Sequence, residues 1–365
     1  MENEHIVAPS DIESELKRIW ESLETTNTMR ACLFNLILYT QKGHRAGYIQ
    51  KITQKVVEKF PSRVIFVTID KANPQETLKT EVSILCSSKG EYDVACDFIS
   101  IEASGNAQKK IPFILLPHIL PDLPVYLLWA EDPSRDDPIS YQLEQFSNRL
   151  IFDSESTDNL PRFAAGILKH KEKSNADIAD LNWARMESWR EVLSATFYSE
   201  ERLKQIRKAK SILITYNAHE STYFCHTRIQ AIYLQTWLGC QLNWKLNEIR
   251  STKEHLQFQY MNQTLPLEVT LTPASHGHLP PGLIMSVEIM TEQEEHFAFI
   301  RHPRESHQVS LQYSTPIQCA IPSKFFFTKS ESGQSLVKEI CHKGTSSHYL
   351  KVLNLIKTME KLSAC

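Results

Sequence analysis

Two spacings of apolar residues divide this chain. Met29 to Thr40 (MRACLFNLILYT) is one continuous apolar, aromatic and branched run, the pattern of a strand buried on both faces. Ile49, Ile52, Val56 and Phe60 then recur at helical spacing, ahead of a strand at Val64 to Asp70. Strand-like runs follow at Glu81 to Cys86 and Val94 to Glu102, then a helix-like run at Ile111 to Ile119. Strands at Val125 to Glu131 and Arg149 to Asp153 and a helix over Pro161 to His170 complete the series. Strands alternating with helices predict a mostly parallel sheet covered by helices. Before all of these, Ser10 and Glu13 predict a capping box for a helix with Ile12, Leu16, Ile19 and Leu23 on one face.

The polar stretch His170 to Asp177 reads as a linker or the entry to a helix. It leads into a long amphipathic helix over Asp177 to Tyr198, with Ile178, Leu181, Met186, Trp189, Val192, Leu193 and Phe197 near one side. After a strand at Ser211 to Tyr216 and a helix at His226 to Cys240, the apolar period drops to two. Leu242/Trp244/Leu246, Leu256/Phe258/Tyr260, Leu267/Val269/Leu271, Val287/Ile289, Phe297/Phe299 and Val309/Leu311/Tyr313 alternate with polar neighbours. Such alternation predicts an antiparallel sheet with one wet face. Helices at Ser335 to His342 and Ser346 to Lys361 follow. The expected architecture is an α/β N-terminal domain over residues 1–175, a connecting helix over 176–200, and a smaller α+β domain with an antiparallel sheet over 201–365.

Composition narrows the function. With 42% apolar and 23% charged residues in 365, the chain is globular rather than disordered. A net charge of -3 gives no bulk attraction to nucleic acid or to an anionic membrane, so neither is expected as a partner. The apolar stretch Ile111 to Ala130 carries Pro112, Pro117, Pro121, Pro124, His118 and Asp122, which break and charge any spanning helix. The polar N-terminus has no secretory pattern, and a cytoplasmic location is expected. The 8 cysteines are scattered without a CxxC and are expected to be reduced and mostly buried.

Candidate chemistry is sparse. Glycine numbers only 10, and neither Gly43/Gly47 nor Gly277/Gly282 stands in a strand–GxGxxG–helix setting. Leu283 and Ile284 occupy the places where a Walker loop needs Lys and Ser or Thr; no cofactor is expected. GxSxG and HExxH are absent, and His276-Gly277-His278 lies in a turn without a third ligand nearby. Glu81, Glu102, Glu131 and Asp132 sit at strand ends, where a carboxylate can serve as acid or base only with a partner. Arg202, Lys204, Arg207, Lys208 and Lys210 read as a solvated helix end, with an anionic partner as the alternative. Pro61 stops a helix and leaves Ser62 and Arg63 at a strand mouth. There they either bind an anion or cap a turn and pair with a carboxylate. Trp189 falls on the apolar stripe, whereas Trp183 and Arg185 lie off it and are candidates for an interface.

Four segments together resemble the OpcA family of glucose-6-phosphate dehydrogenase assembly proteins. They are MRACLFNLILY at Met29 to Tyr39, FPSRVIFV at Phe60 to Val67, ILLPHILPDLPVYLLWAED at Ile114 to Asp132 and DLNWARMESWREVL at Asp180 to Leu193. All four stand in family order, and LQTWLGCQL at Leu234 to Leu242 adds a looser match. Two positions depart from the family pattern: Phe60 stands where His often precedes PSR, and Leu128-Trp129 replaces paired tryptophans. The resemblance implies a non-catalytic activator in the oxidative pentose phosphate pathway that binds glucose-6-phosphate dehydrogenase and favours its active oligomer. It points to Pro61, Ser62, Arg63, Asp122, Trp129, Trp183, Arg185, Trp189 and Arg190 as motif or partner-binding positions. The alternative is a protein or enzyme that binds a sugar phosphate or nucleotide at the edge of the N-terminal sheet, near Arg63.

Overall fold

The computed structural model describes residues 2–23, 28–89, 92–252, 254–328 and 333–360. The chain divides into two compact units. The first comprises Met1–Ser156, Gly166–Leu181 and Ser332–Thr345; the second comprises Thr157–Ala165, Asn182–Glu331 and Ser346–Cys365.

The first unit is built on nine strands, which are β1 (Glu2–Val7), β2 (Thr28–Arg30), β3 (Asn35–Gln41), β4 (Arg63–Asp70), β5 (Thr77–Lys89), β6 (Tyr92–Ser104), β7 (Val125–Trp129), β8 (Arg149–Phe152) and β9 (Asp177–Asp180). They lie in the order β1-β5-β6-β4-β3-β7-β8-β9, with β2 pairing beside β4 on β6. From β6 to β9 every pairing is parallel, while β5 and β1 add antiparallel neighbours at one edge. Numbered by their sequence order, the six strands of the run from β6 to β9 lie as 3-2-1-4-5-6, the doubly wound arrangement, with β2 a further parallel neighbour of β6. Central β3 is buried on both faces from Asn35 to Thr40, which is why its sequence reads as an unbroken apolar run. Its helices are α1 (Ile12–Leu23), α2 (His44–Val57), α3 (Ile111–Leu115) and α4 (Pro138–Glu144), and α5 (Leu160–Lys173) belongs to it from Gly166 onward. Gly166 on α5 admits close approach: a Cβ there would stand 2.6 Å from the Pro133 backbone.

Several expectations need correcting. The run Met29 to Thr40 is two strands, β2 and β3, because Cys32 to Phe34 turn between different sheet neighbours. The Ser10 capping box does not form: the Ser10 hydroxyl donates to Asp11, and Glu13 is drawn to Arg63 and His118. Strand β1 was not foreseen, since its polar sequence carries no alternation. The expected linker His170 to Asp177 begins inside α5. The long helix over 177–198 is three elements: β9, α6 (Leu181–Arg185) and α7 (Glu187–Thr196), broken at Met186. Its first four residues pair with β8 instead of continuing a helical stripe.

In the second unit, α8 (Glu200–Ile206) and β10 (Ala209–Asn217) precede α9 (Ile229–Leu242). Then come β11 (Lys245–Ser251), β12 (Leu256–Asn262), β13 (Leu265–Ala274), β14 (Ile284–Thr291), β15 (His296–Arg301), β16 (Gln308–Thr315), β17 (Gln318–Cys319) and β18 (Ser323–Phe326). The order is β11-β12-β13-β10-β14-β15-β16-β17, with β18 also on β16. The sheet is antiparallel except for β10 and β13, which run parallel because α9 carries the chain back before β11. With nine strands this sheet has as many as the first. Alternate residues Phe258, Tyr260, Val269, Leu271, Ile212, Ile214, Val287, Ile289, Phe297 and Phe299 are buried, as the period of two requires. Helix α9 lies within this core, and Asn243 ends it in the left-handed conformation.

Helix α10 (Gln334–Cys341) belongs to the first unit and α11 (Ser347–Lys357) to the second. The helix expected to reach Lys361 ends at Lys357, and Lys361 itself lies outside the described residues, as does Cys365. Of the seven described cysteines only Cys96 is buried; Cys86, Cys225, Cys319 and Cys341 are exposed. The expectation of mostly buried thiols therefore fails: Cys86 lies in β5 past the stretch that pairs with β1, Cys225 in a loop, Cys319 on β17 and Cys341 at the end of α10.

Candidate partner-binding surface

The motifs singled out in the first half converge on the amino ends of the parallel strands. Pro61 and Ser62 lead into Arg63, the first residue of β4. The Pro61 carbonyl accepts the Leu33 N–H at 2.8 Å, and the Arg63 N–H donates to Cys32 Sγ at 3.1 Å. Ser62 is fully buried, with its hydroxyl unpaired among the described residues. Arg63 is 3% exposed. Its Nε and one terminal nitrogen donate to Asp97 at 2.9 and 2.7 Å; the other terminal nitrogen reaches Glu13 at 2.8 Å and the His118 carbonyl at 2.9 Å. A longer bond of 3.4 Å to Glu13 occupies the fifth N–H. No guanidinium donor is left over for a sugar phosphate. The carboxylate-pairing reading of Arg63 is the one the geometry presents.

Asp97, in the middle of β6, also accepts from Trp20 Nε1 at 2.7 Å and from Arg30 at 2.8 Å. Burial opposes its ionisation, but the Arg63 charge and the Arg30 and Trp20 hydrogen bonds outweigh burial and hold its carboxyl below the usual range. The hydrogen bond from His118, then Arg63, lowers Glu13 likewise. A depressed carboxyl stabilises the fold fully above its unfolded pKa of about 4, and that stabilisation is lost as pH falls through the lower folded value. Urea midpoints for wild type and Asp97→Asn should therefore differ by a constant amount from pH 5 to 8 and converge below about pH 4. A gap that widens with acid would contradict the assignment.

The neighbouring loop is held by Asn35, whose amide donates to the Leu120 and Leu123 carbonyls and accepts the Leu120 N–H at 2.9 Å. Pro121 and Asp122 are thereby presented to solvent at the loop tip. Met29 and Leu33 stand out beside this cluster, 56% and 53% exposed, with Arg30 between them in sequence. Trp129 lies at the opposite end of β7 and is buried, stacked on Tyr39 at 4.1 Å.

The remaining sequence-selected positions lie in the second unit and do not form an exposed face. Trp183 is 5% exposed, which corrects its expected place at an interface. It is covered by Arg190, whose guanidinium lies 3.7 Å from the ring and whose nitrogen donates to the Trp183 carbonyl at 2.6 Å. Tyr349 lies at 5.2 Å from it. Arg190 thus adds a shorter bond to a carbonyl that also accepts the Met186 N–H at 3.3 Å where α6 stops. Arg185 bonds to Asn182 at 2.7 Å and lies over Phe224. Trp189 is buried as its stripe position indicates, edge-on to Phe327 and beneath Arg301. The sequence reading missed Arg301, which is 5% exposed and donates to the Ile284 and Ser306 carbonyls. Burial draws its pKa down to about 10. An arginine ending the apolar run FAFIR was the available signal. The basic cluster is dispersed: Arg202 lies over Phe297 and Tyr313, and Lys204 pairs with Glu200. Among the described residues no group of three His, Cys, Asp or Glu could hold a metal ion, and no helix is long and apolar enough to cross a membrane.

The parallel order defines the first unit as a doubly wound α/β domain. Solved structures share the fold: levoglucosan dehydrogenase with NADH and levoglucosan (12% identity, TM-score 0.50) covers 90% of this chain and 97% of its own. A super-repressor mutant of Gal80p from Saccharomyces cerevisiae does so at 10% identity and TM-score 0.50, covering 90% of this chain and 95% of its own. At such identities the likeness shows the fold alone. Residues 53–166 match the N-terminal domain and residues 176–353 the C-terminal domain of the family described as the glucose-6-phosphate dehydrogenase subunit, and the chain belongs to this OpcA family. Relatives named OpcA in Nostoc punctiforme and Synechococcus elongatus are 23% and 27% identical over 198 and 173 residues. Those stretches are 53% and 46% of this chain but only 41% and 37% of the relatives, so the chain spans about two fifths of their length.

Proposed function

We propose that this chain is a non-catalytic partner of glucose-6-phosphate dehydrogenase that binds the active oligomer in preference to less active forms. Preferential binding stabilises the favoured state by differential affinity, without chemistry of its own. Family membership over both halves supports the association. The observation that carries the surface is the gathering of the PSR and LPDLPV segments at the amino ends of the parallel strands. In doubly wound enzymes ligands bind at the other end, beyond the carboxyl ends. Met29, Arg30, Leu33, Pro61 and the Asp122 loop form the docking surface in this reading. Trp183, Trp189 and Arg190 keep the second unit in shape instead.

Converting Met29 and Leu33 together to Glu should weaken binding to the dehydrogenase by about tenfold or more, since charges replace apolar contacts. The thermal midpoint should stay within about 2 °C, because both side chains face solvent. Calorimetric titration into the dehydrogenase reads the first and differential scanning the second. Unchanged affinity for the double variant would remove this surface from the proposal.

A further inference from the structure

The doubly wound sheet reverses its strand order between β3 and β7, and such sheets hold dinucleotides in the crevice beyond those two carboxyl ends. Pieces of a dinucleotide fingerprint stand there. Gln41, Gly43 and Ala46 occupy the three places of G-x-G-x-x-G/A, and Asp70 closes β4 where an acid would meet the ribose. Gly43, at φ +151°, opens α2, and no atom lies within 4 Å of where its Cβ would be.

The groups a dinucleotide would need are nonetheless spent on one another. The Gln41 N–H, at the end of β3, donates to Glu131 Oε1 at 2.9 Å. Lys71, just past β4, donates to Glu131 Oε2 at 2.7 Å. Since β3 lies between β4 and β7, this ion pair passes over the end of β3, across the crevice. Lys42 is taken by Glu102 of β6 and lies 3.5 Å from Asp70. Asp70 turns back to accept the Ala72 and Asn73 N–H groups at 3.2 and 3.1 Å. Arg45 on α2 binds Asp153 beyond β8. A phosphate would have to displace the Glu131 carboxylate from the Gln41 N–H and from Lys71. These residues do not fit a dinucleotide.

We infer that the Glu131 carboxylate is the resident anion of this crevice and closes it to dinucleotides. The chain keeps the doubly wound frame and laces its carboxyl rim with acid–base pairs. The test follows the backbone amides of Gln41, Lys42 and Gly43 by NMR on the full chain. NADP+ and inorganic pyrophosphate, up to about 1 mM, should leave the wild-type amides unshifted. In Glu131→Ala and Glu131→Gln, pyrophosphate should shift all three, and Gln41 amide exchange in the alanine variant should rise about tenfold. Saturable wild-type shifts with NADP+ would overturn the inference, and so would variants that stay silent to pyrophosphate. If Glu131→Ala does not fold, the glutamine variant and the wild-type titration decide. Association with the dehydrogenase is a separate measurement, so failure of one leaves the other standing.

Discussion

Replacing Arg63 with alanine is expected to destabilise the first unit by about 3–5 kcal/mol, the cost of breaking a buried ion pair from one side. Asp97, 4% exposed, would lose two hydrogen bonds and its strongest counter-charge, and Glu13 would lose a partner. The His118 carbonyl would lose a donor as well. Arg30 and Trp20 still hold Asp97 in the variant, which places the expected loss within that range and not above it. Lysine should not rescue the variant, because one ammonium cannot reproduce five directed N–H groups. Urea denaturation followed by far-ultraviolet circular dichroism measures the effect. A loss below about 1 kcal/mol, the size of an exposed pair, would show that Arg63 is not the keystone of this end of the sheet.

A second large effect is expected at Glu339. Helix α10 returns to the first unit, where Glu339 accepts from Arg149 at 2.6 Å with both side chains almost fully buried. Arg149 also donates to the Gly344 carbonyl, and the Thr345 hydroxyl accepts the Ile178 N–H of edge strand β9. Glu339→Ala leaves a buried guanidinium without its counter-charge, at a cost of about 3–5 kcal/mol. Removing residues from Gly333 onward should add exposure of β9, an unprotected edge. Limited proteolysis should therefore cut near Asp177 in the truncated chain and spare the full one. Equal protease resistance would mean that α10 contributes nothing to the first unit.

The parts of this fold that were legible in the sequence are those governed by local periodicity. The apolar run at Leu36 to Tyr39 and the alternation at Leu256, Phe258 and Tyr260 each report how many faces of the strand are buried. What stayed hidden depends on partners far away in sequence. Ile178 lies in register with Leu150, so a stretch with helical spacing becomes strand β9. Glu13 follows Ser10 at capping-box spacing, yet bonds to a residue fifty positions away are stronger than the local cap. Trp183 lies off the apolar stripe but is buried because Arg190 and Tyr349 close over it. Of the candidate surface, Pro61 and Asp122 are visible as motif positions, whereas Met29 and Leu33 fall inside an apolar run whose pattern is that of a buried strand, yet are exposed. The rim pairing of Lys71 with Glu131 needed the strand order before it had any meaning.

Sedimentation velocity of glucose-6-phosphate dehydrogenase, alone and with an equal micromolar amount of this protein, tests the central claim most directly. A faster boundary containing both chains, accompanied by a larger share of the active oligomer, is the predicted result. Two boundaries that move as they do separately, with the distribution of dehydrogenase oligomers unchanged, would contradict it.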